Sequence, residues 1–136
     1  MKVSQTTGIK IISGINLLAA ALHLLFWGVA LVRLVPTLDV SNQSSLATTI
    51  GIGVADLLWS VPVLLLGSIG LYKKRAIGWL GAQMAHVLYF YSMTFVVVRD
   101  GLSGRISPGT YIFMPFTLFA LWATYFLWKN RSAFSK

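Results

Sequence analysis

Residues 46–72 read LATTIGIGVADLLWSVPVLLLGSIGLY; Lys73-Lys74-Arg75 follow, and residues 76–98 read AIGWLGAQMAHVLYFYSMTFVVV. Three consecutive cations separate two apolar runs, each long enough to cross a hydrocarbon core, which takes about 20 helical residues. A backbone inside lipid must satisfy its own hydrogen bonds, so each run is expected to be a transmembrane helix. The pattern continues on both sides, with apolar runs at residues 11–34 and 110–128. The connections carry breakers: Pro36-Thr-Leu-Asp-Val-Ser-Asn-Gln before the pair and Arg99-Asp-Gly-Leu-Ser-Gly-Arg-Ile-Ser-Pro-Gly109 after it. The expected fold is all-α, a single polytopic membrane domain built as a four-transmembrane-helix bundle.

Composition agrees. Hydrophobic residues make up 57% of the 136 residues and charged ones 10%, where a soluble domain carries about a quarter charged residues. Four spans leave no room for a soluble catalytic domain beside them. The chain has no cysteine. That excludes disulfide exchange, thiolate nucleophiles, thiolate zinc sites and iron–sulfur clusters. It also counts against the four-helix membrane quinone-linked thiol oxidoreductases. The first run is too long for a signal-peptide h-region of about 7–15 residues, and no small-x-small cleavage site follows it. It is read as a retained span.

The net charge of +8 would suit nucleic acid if it were clustered on one surface, but its distribution is topological. Four spans put both termini on one side. Lys2, Lys10, Lys73, Lys74, Arg75, Lys129, Arg131 and Lys136 then share that side, eight of the eleven basic residues, and only Arg33, Arg99 and Arg105 lie opposite. The richer side is cytoplasmic by the positive-inside rule, which makes the chain a multi-pass cell-membrane protein with both termini cytoplasmic. The loop acids Asp39 and Asp100 fall outside. Anionic lipid headgroups are attracted to such a basic face; no nucleic-acid partner is expected. Trp27 near the outer end of the first span, Tyr72 and Trp79 around the basic loop, and Tyr125 and Trp128 at the inner end of the last fit interfacial aromatic belts. Trp59 lies mid-span and is expected to pack inside the bundle or line a cavity.

Helices in lipid associate through small residues and hydrogen bonds. The second span carries Thr49, Gly53, Asp56, Ser60, Val63, Gly67 and Gly70 at helical spacing. The third carries Gly78, Ala82, Ala85, His86, Tyr89 and Ser92, and the first Asn16, Ala20, His23, Trp27 and Ala30. These three faces are expected to converge. The fourth span, with Phe116, Phe119 and Phe126, has little polarity and reads as the packing wall. Pro62 and Pro115 are each expected to kink a helix.

Asp56 is the only acid inside a span. It lies about ten residues deep, or roughly 15 Å at helical rise. His23 and His86 fall at similar depth. An ionised carboxylate in lipid is costly, so Asp56 is expected to face inward beside a partner or to be neutral. The two histidines are the only intramembrane groups able to supply a positive charge, while Thr49, Ser60, Gln83, Tyr89 and Tyr91 offer neutral hydrogen bonds. The functional reading is an outward-facing ligand pocket with Asp56, His23, His86, Trp59 and Tyr89 within and Arg99 and Asp100 at its rim. The bland reading is a polar clasp that fixes helix packing. No cofactor is read from this pattern; a b-type haem held by His23 and His86 is a minor alternative. No metal site is read. The four-helix small multidrug exporters place a glutamate in their first span, and this chain contains no glutamate.

The pattern Asp56-Leu-Leu-Trp-Ser-Val-Pro62, Gly70, Gly78-Trp79, Tyr91-Ser92, Arg99-Asp100, Ser107-Pro108-Gly109 and Pro115-Phe116 resembles a group of small four-span prokaryotic membrane proteins of unknown function. The likeness covers roughly the last 80 residues and implies a fold without an activity. A looser similarity to DoxX-like four-span proteins rests on size and span count.

Three functional readings follow. In the first, the chain is a membrane protein that binds a small or amphipathic ligand, a lipid among them, around Asp56. In the second, it is an accessory subunit packed against a larger membrane protein or its own copies. In the third, it is a carrier or membrane enzyme with a proton relay through Asp56 and a histidine. No nucleophile–base–orienter set is present, so no enzyme class is assigned.

Overall fold

The computed structural model describes residues 4–37 and 43–134. Lys2, Asp39, Lys136 and most of the first loop, which entered the charge count above, lie outside the described residues. Among the described residues the chain is helical throughout, with no strand. Helix α1 spans Gln5–Leu34, α2 Gln43–Ala55, α3 Val61–Tyr72, α4 Ala76–Ser103 and α5 Pro108–Lys129. A π-helical turn, Asp56–Ser60, joins α2 to α3 without a break. Short 3₁₀ turns follow α1 and α5. Three stretches are long and apolar enough to cross a membrane: Gln5–Thr37, Leu46–Tyr72 and Ala76–Ser103. The fourth expected span corresponds to α5, a helix of 22 residues.

The termini of these helices are set by local chemistry. Ser4 caps α1 by accepting the Thr7 N–H at 3.2 Å. The basic triplet closes a Schellman motif. Arg75 N–H donates to the Gly70 carbonyl at 2.9 Å and Lys74 N–H to the Leu71 carbonyl at 2.9 Å. Lys74 takes the left-handed position, φ 52°, that glycine usually fills. At its other end α4 stops at Gly104, φ 65°. It therefore runs past the expected limit at residue 98 and holds Arg99 and Asp100 on its last turn instead of in a loop.

Neighbouring helices pack in the order α1, α3, α4, α5, while α1 meets α5 only lightly. The closest approach joins α3 to α4. A Cβ added to Gly78 would lie 2.0 Å from the Gly70 carbonyl carbon, and one added to Gly67 2.8 Å from the Ala82 nitrogen. Only glycine lets two backbones come this near, the small-residue packing that replaces hydrophobic drive between helices in lipid. Ser13 and Ser68 lock α1 to α3 reciprocally, each hydroxyl donating to the other's carbonyl at 2.7 and 2.8 Å. One apolar layer, with Ile12, Leu71, Ala82 and Leu127, lies towards the basic loop. A second, with Ala20, Leu64, Ala85, Tyr89 and Ala120, fills the middle. Outside, Leu25, Phe26, Val32, Leu58, Val87 and Leu118 present their side chains to the surroundings.

The stripes read from the sequence are largely the buried ones. Gly53, Ser60, Gly67 and Gly70 are buried, as are Asn16, Ala20 and Trp27, and Gly78, Ala82, Ala85, His86 and Tyr89. Trp27 is 9% exposed, as its place on the inward stripe of the first span requires, and Trp59 departs from expectation. Trp59 is 69% exposed and neither packs inside nor lines a cavity. The cause is the π turn. Val61 N–H reaches back five residues to the Asp56 carbonyl, which widens the turn and swings Trp59 away from the face that Asp56 and Ser60 share. The widened turn lies immediately before Pro62, which has no N–H to contribute to the helix.

Candidate functional site

Asp56 opens the π turn, and π turns inside helices occur frequently at functional sites. Its carboxylate takes two neutral donors. Trp27 Nε1–H donates to Oδ2 at 2.8 Å from α1, and Ser60 Oγ–H donates to Oδ1 at 2.8 Å from one turn on. Gly53 makes room for this pair: a Cβ there would fall 2.4 Å from the Trp27 ring. The expected histidine partner does not appear. Among the described residues Asp56 forms no ion pair, and both histidines bond elsewhere.

His23 shares a hydrogen bond between Nδ1 and the Ala19 carbonyl on its own helix, at 2.9 Å, and its ring lies against Phe113. His86 is fully buried. Its Nδ1 lies 3.1 Å from the Thr124 hydroxyl of α5, and its Nε2 has no protein partner among the described residues. Tyr89, one turn further along α4, stacks on Phe116 at 5.9 Å between ring centroids, and its buried hydroxyl also lacks a partner there. Gln83, one turn before His86, donates to the Thr124 carbonyl at 3.4 Å and leaves its Oε1 unpartnered. Asn16 on α1 is fully buried with both amide atoms in the same condition. Buried polar atoms are normally paired, so a concentration of unpaired ones in one small bundle calls for a reason.

A cavity of about 10 Å³ lies between His23, Ser60, Tyr89 and Ser92, floored by Leu64 and Ala85. Through Ser60 it adjoins the Asp56 carboxylate. Its volume matches one water molecule. Cofactor-sized pockets begin near 300 Å³, and His86 does not border the cavity, so a haem held between His23 and His86 does not fit. No group of three metal-binding side chains occurs among the described residues.

Arg99 and Asp100 do not form a rim around this cavity. Asp100 is 8% exposed and faces the start of α5. It accepts from the Ser107 N–H at 2.7 Å, from the Thr110 hydroxyl, and from Arg99 at 2.9 and 3.1 Å. Arg99 also donates to the Ser107 hydroxyl. The pair ties the end of α4 to the beginning of α5. Tyr91 and Trp59 both point outward. The structure thus brings Ser60, His23 and Tyr89 around one small space, joins Asp56 to it through the Ser60 hydroxyl, and leaves His86, Trp59, Tyr91, Arg99 and Asp100 out of its lining. The sequence reading missed Trp27 as the donor to Asp56, although it shares a helical stripe with His23. It also missed Thr124 of α5 as the partner of His86.

Comparison with protein-family models, with characterised proteins and with solved structures gives no match.

Proposed function

We propose that this chain is a four-span integral membrane protein whose interior carries a proton between Asp56 and the neighbourhood of His86. Its apolar outward surface supports the membrane reading, because soluble monomers rarely expose contiguous apolar areas of such extent. The basic excess around Lys73–Arg75 supports a cytoplasmic placement for that loop and both termini. With Ser103→Cys and Lys74→Cys made singly, an impermeant thiol reagent applied to intact cells is expected to label the first variant and spare the second. Labelling of the Lys74 variant alone would invert the orientation.

The observation that carries the relay reading is the water-sized cavity joined to Asp56 through Ser60. Such a space admits no small or amphipathic organic ligand, yet a water in it would touch hydroxyl and imidazole groups on three sides. Ser60 already donates to Asp56, so its oxygen is free to accept a proton from that water while its own passes to the carboxylate. Tyr89 continues the path towards His86, its neighbour three residues earlier on the same helix face.

Asp56→Asn tests this. The asparagine carbonyl still accepts from Trp27, and its amide donates to a reversed Ser60 hydroxyl. The loss in stability is therefore expected near the roughly 0.6–1.7 kcal/mol found for polar contacts between membrane helices. Proton conduction has no such substitute. In vesicles loaded with a pH-sensitive dye and energised by a potassium gradient with valinomycin, the parent is expected to acidify the lumen faster than Asp56→Asn by on the order of a hundredfold. Equal rates in the parent, the variant and protein-free vesicles would end the relay reading and leave Asp56 as a packing clasp.

A further inference from the structure

A second cavity lies at the opposite end of the molecule from Asp100. It is an open cleft of about 580 Å³ where α4 begins and α5 ends, lined by Ala76, Trp79, Lys129, Arg131, Ser132 and Phe134. Its construction is specific. Phe134, 2% exposed, anchors the 3₁₀ turn Arg131–Phe134 in the core and so holds that turn across the end of the bundle. Trp79 is fixed by donation from Nε1 to the Leu127 carbonyl at 3.1 Å and by the Trp128 ring 6.1 Å away. The Arg131 guanidinium lies 5.2 Å from the centre of the Trp128 ring, a cation–π placement that positions the charge at an exposed site. The first turn of α4, with Arg75 at its N-cap and no side-chain cap, reaches the cleft at Ala76. The partial positive charge of a helix start therefore adds to Lys129 and Arg131.

The charge around the cleft has one sign. Lys73, Lys74 and Arg75 are exposed just before α4, and no carboxylate among the described residues lies at this end. Asp56 sits within the helical interior and Asp100 at the far end of α4. A cation cluster beside a fixed indole, at the end of the apolar surface, has the composition that recognises an anionic headgroup. The volume decides between ligand sizes: it falls within the roughly 300–1,000 Å³ of small-molecule sites, ample for a phosphate together with the glycerol that carries it.

We infer that this cleft binds a phosphate group, with Lys129 and Arg131 supplying charge and Trp79 packing against the adjoining carbon atoms. The site is independent of the proton relay and draws on the membrane reading only for the source of the phosphate. Two arms separate the sources. In the first, the full chain in neutral-detergent micelles is offered phosphatidylglycerol and phosphatidylcholine in equal amounts, and retained lipid is counted by native mass spectrometry. In the second, inorganic phosphate is titrated while tryptophan fluorescence is followed.

Preferential retention of phosphatidylglycerol is expected. Lys129→Gln and Arg131→Gln should each weaken it by roughly fivefold. Arg105→Gln, at the other end of the bundle, should leave it unchanged, and Lys129→Arg, which keeps the charge, should hold binding near the parent level even if the glutamine variants fold poorly. Saturable phosphate titration without lipid preference would keep the site and assign it a soluble phosphate. Absence of both signals would overturn the inference. So would an equal loss in Arg105→Gln, since attraction would then be diffuse.

Discussion

A single methyl group placed on Gly78 is expected to force α3 from α4 and destabilise the bundle by about 3 kcal/mol or more. In Gly78→Ala the new carbon would sit 2.0 Å from the Gly70 carbonyl carbon and 2.3 Å from both Gly70 Cα and the Leu71 nitrogen. Carbon atoms are at rest about 3.5–4.0 Å apart, and all three obstacles are backbone, so no rotamer change relieves the clash. The helices also cannot hinge apart freely. Arg75 N–H holds the Gly70 carbonyl, and Gly78 N–H holds the Arg75 carbonyl at 3.0 Å. Any retreat at the crossing therefore strains the loop that joins the two helices. Overpacking a core costs about 1–3 kcal/mol, and a backbone-on-backbone collision belongs at or above the top of that range. Gly14 and Gly28 supply the control, since an added Cβ meets nothing within 4 Å at either. Alanine there should be neutral, or stabilising by up to about 1 kcal/mol through helix propensity. Thermal unfolding in detergent reads all three. A Gly78→Ala protein that melts with the parent would show that the crossing is not the bundle's tightest contact.

That crossing was legible in the sequence because small residues at three- and four-residue spacing have few uses in an apolar run other than close packing. Asp56 was legible for a related reason: an acid within such a run must turn inward, and it does. Its partners were not legible. Which carbonyl the Val61 N–H selects decides between an α and a π turn, and both choices suit the pattern Asp56-Leu-Leu-Trp-Ser-Val-Pro62. The choice moves Trp59 from the inner to the outer surface, and the vacant role beside Asp56 is filled by Trp27 from another helix. Asp100 looked like a loop residue because Gly101 and Gly104 follow it. Its real setting depends on Ser107 and Thr110 arriving from the next helix, a tertiary event that no local pattern encodes. Thr124 was invisible as a partner of His86 for the same reason, since a threonine in an apolar helix ordinarily bonds within that helix, as Thr117 does to the Phe113 carbonyl.

The last expectation concerns His86 and separates structural from functional use of the polar interior. His86 is fully buried, holds one hydrogen bond to Thr124, and has an Nε2 without a protein partner. As a packing element it is a poor choice. A buried nitrogen left without a partner costs about 1–3 kcal/mol, a cost that an apolar side chain of similar size removes. In His86→Leu the two ring nitrogens disappear, and the Thr124 hydroxyl turns back to a carbonyl of its own helix, as buried threonines do. The variant is therefore expected to fold with a stability within about 1 kcal/mol of the parent, while proton flux in vesicles drops to the level of Asp56→Asn. Tyr89→Phe is expected to behave alike, since it removes only the unpartnered hydroxyl beside the cavity. A histidine that served packing alone would give the reverse result, an intact flux with a bundle destabilised by several kcal/mol. Under that outcome the relay would have to bypass α4, and the His86–Thr124 contact would be a clasp between α4 and α5.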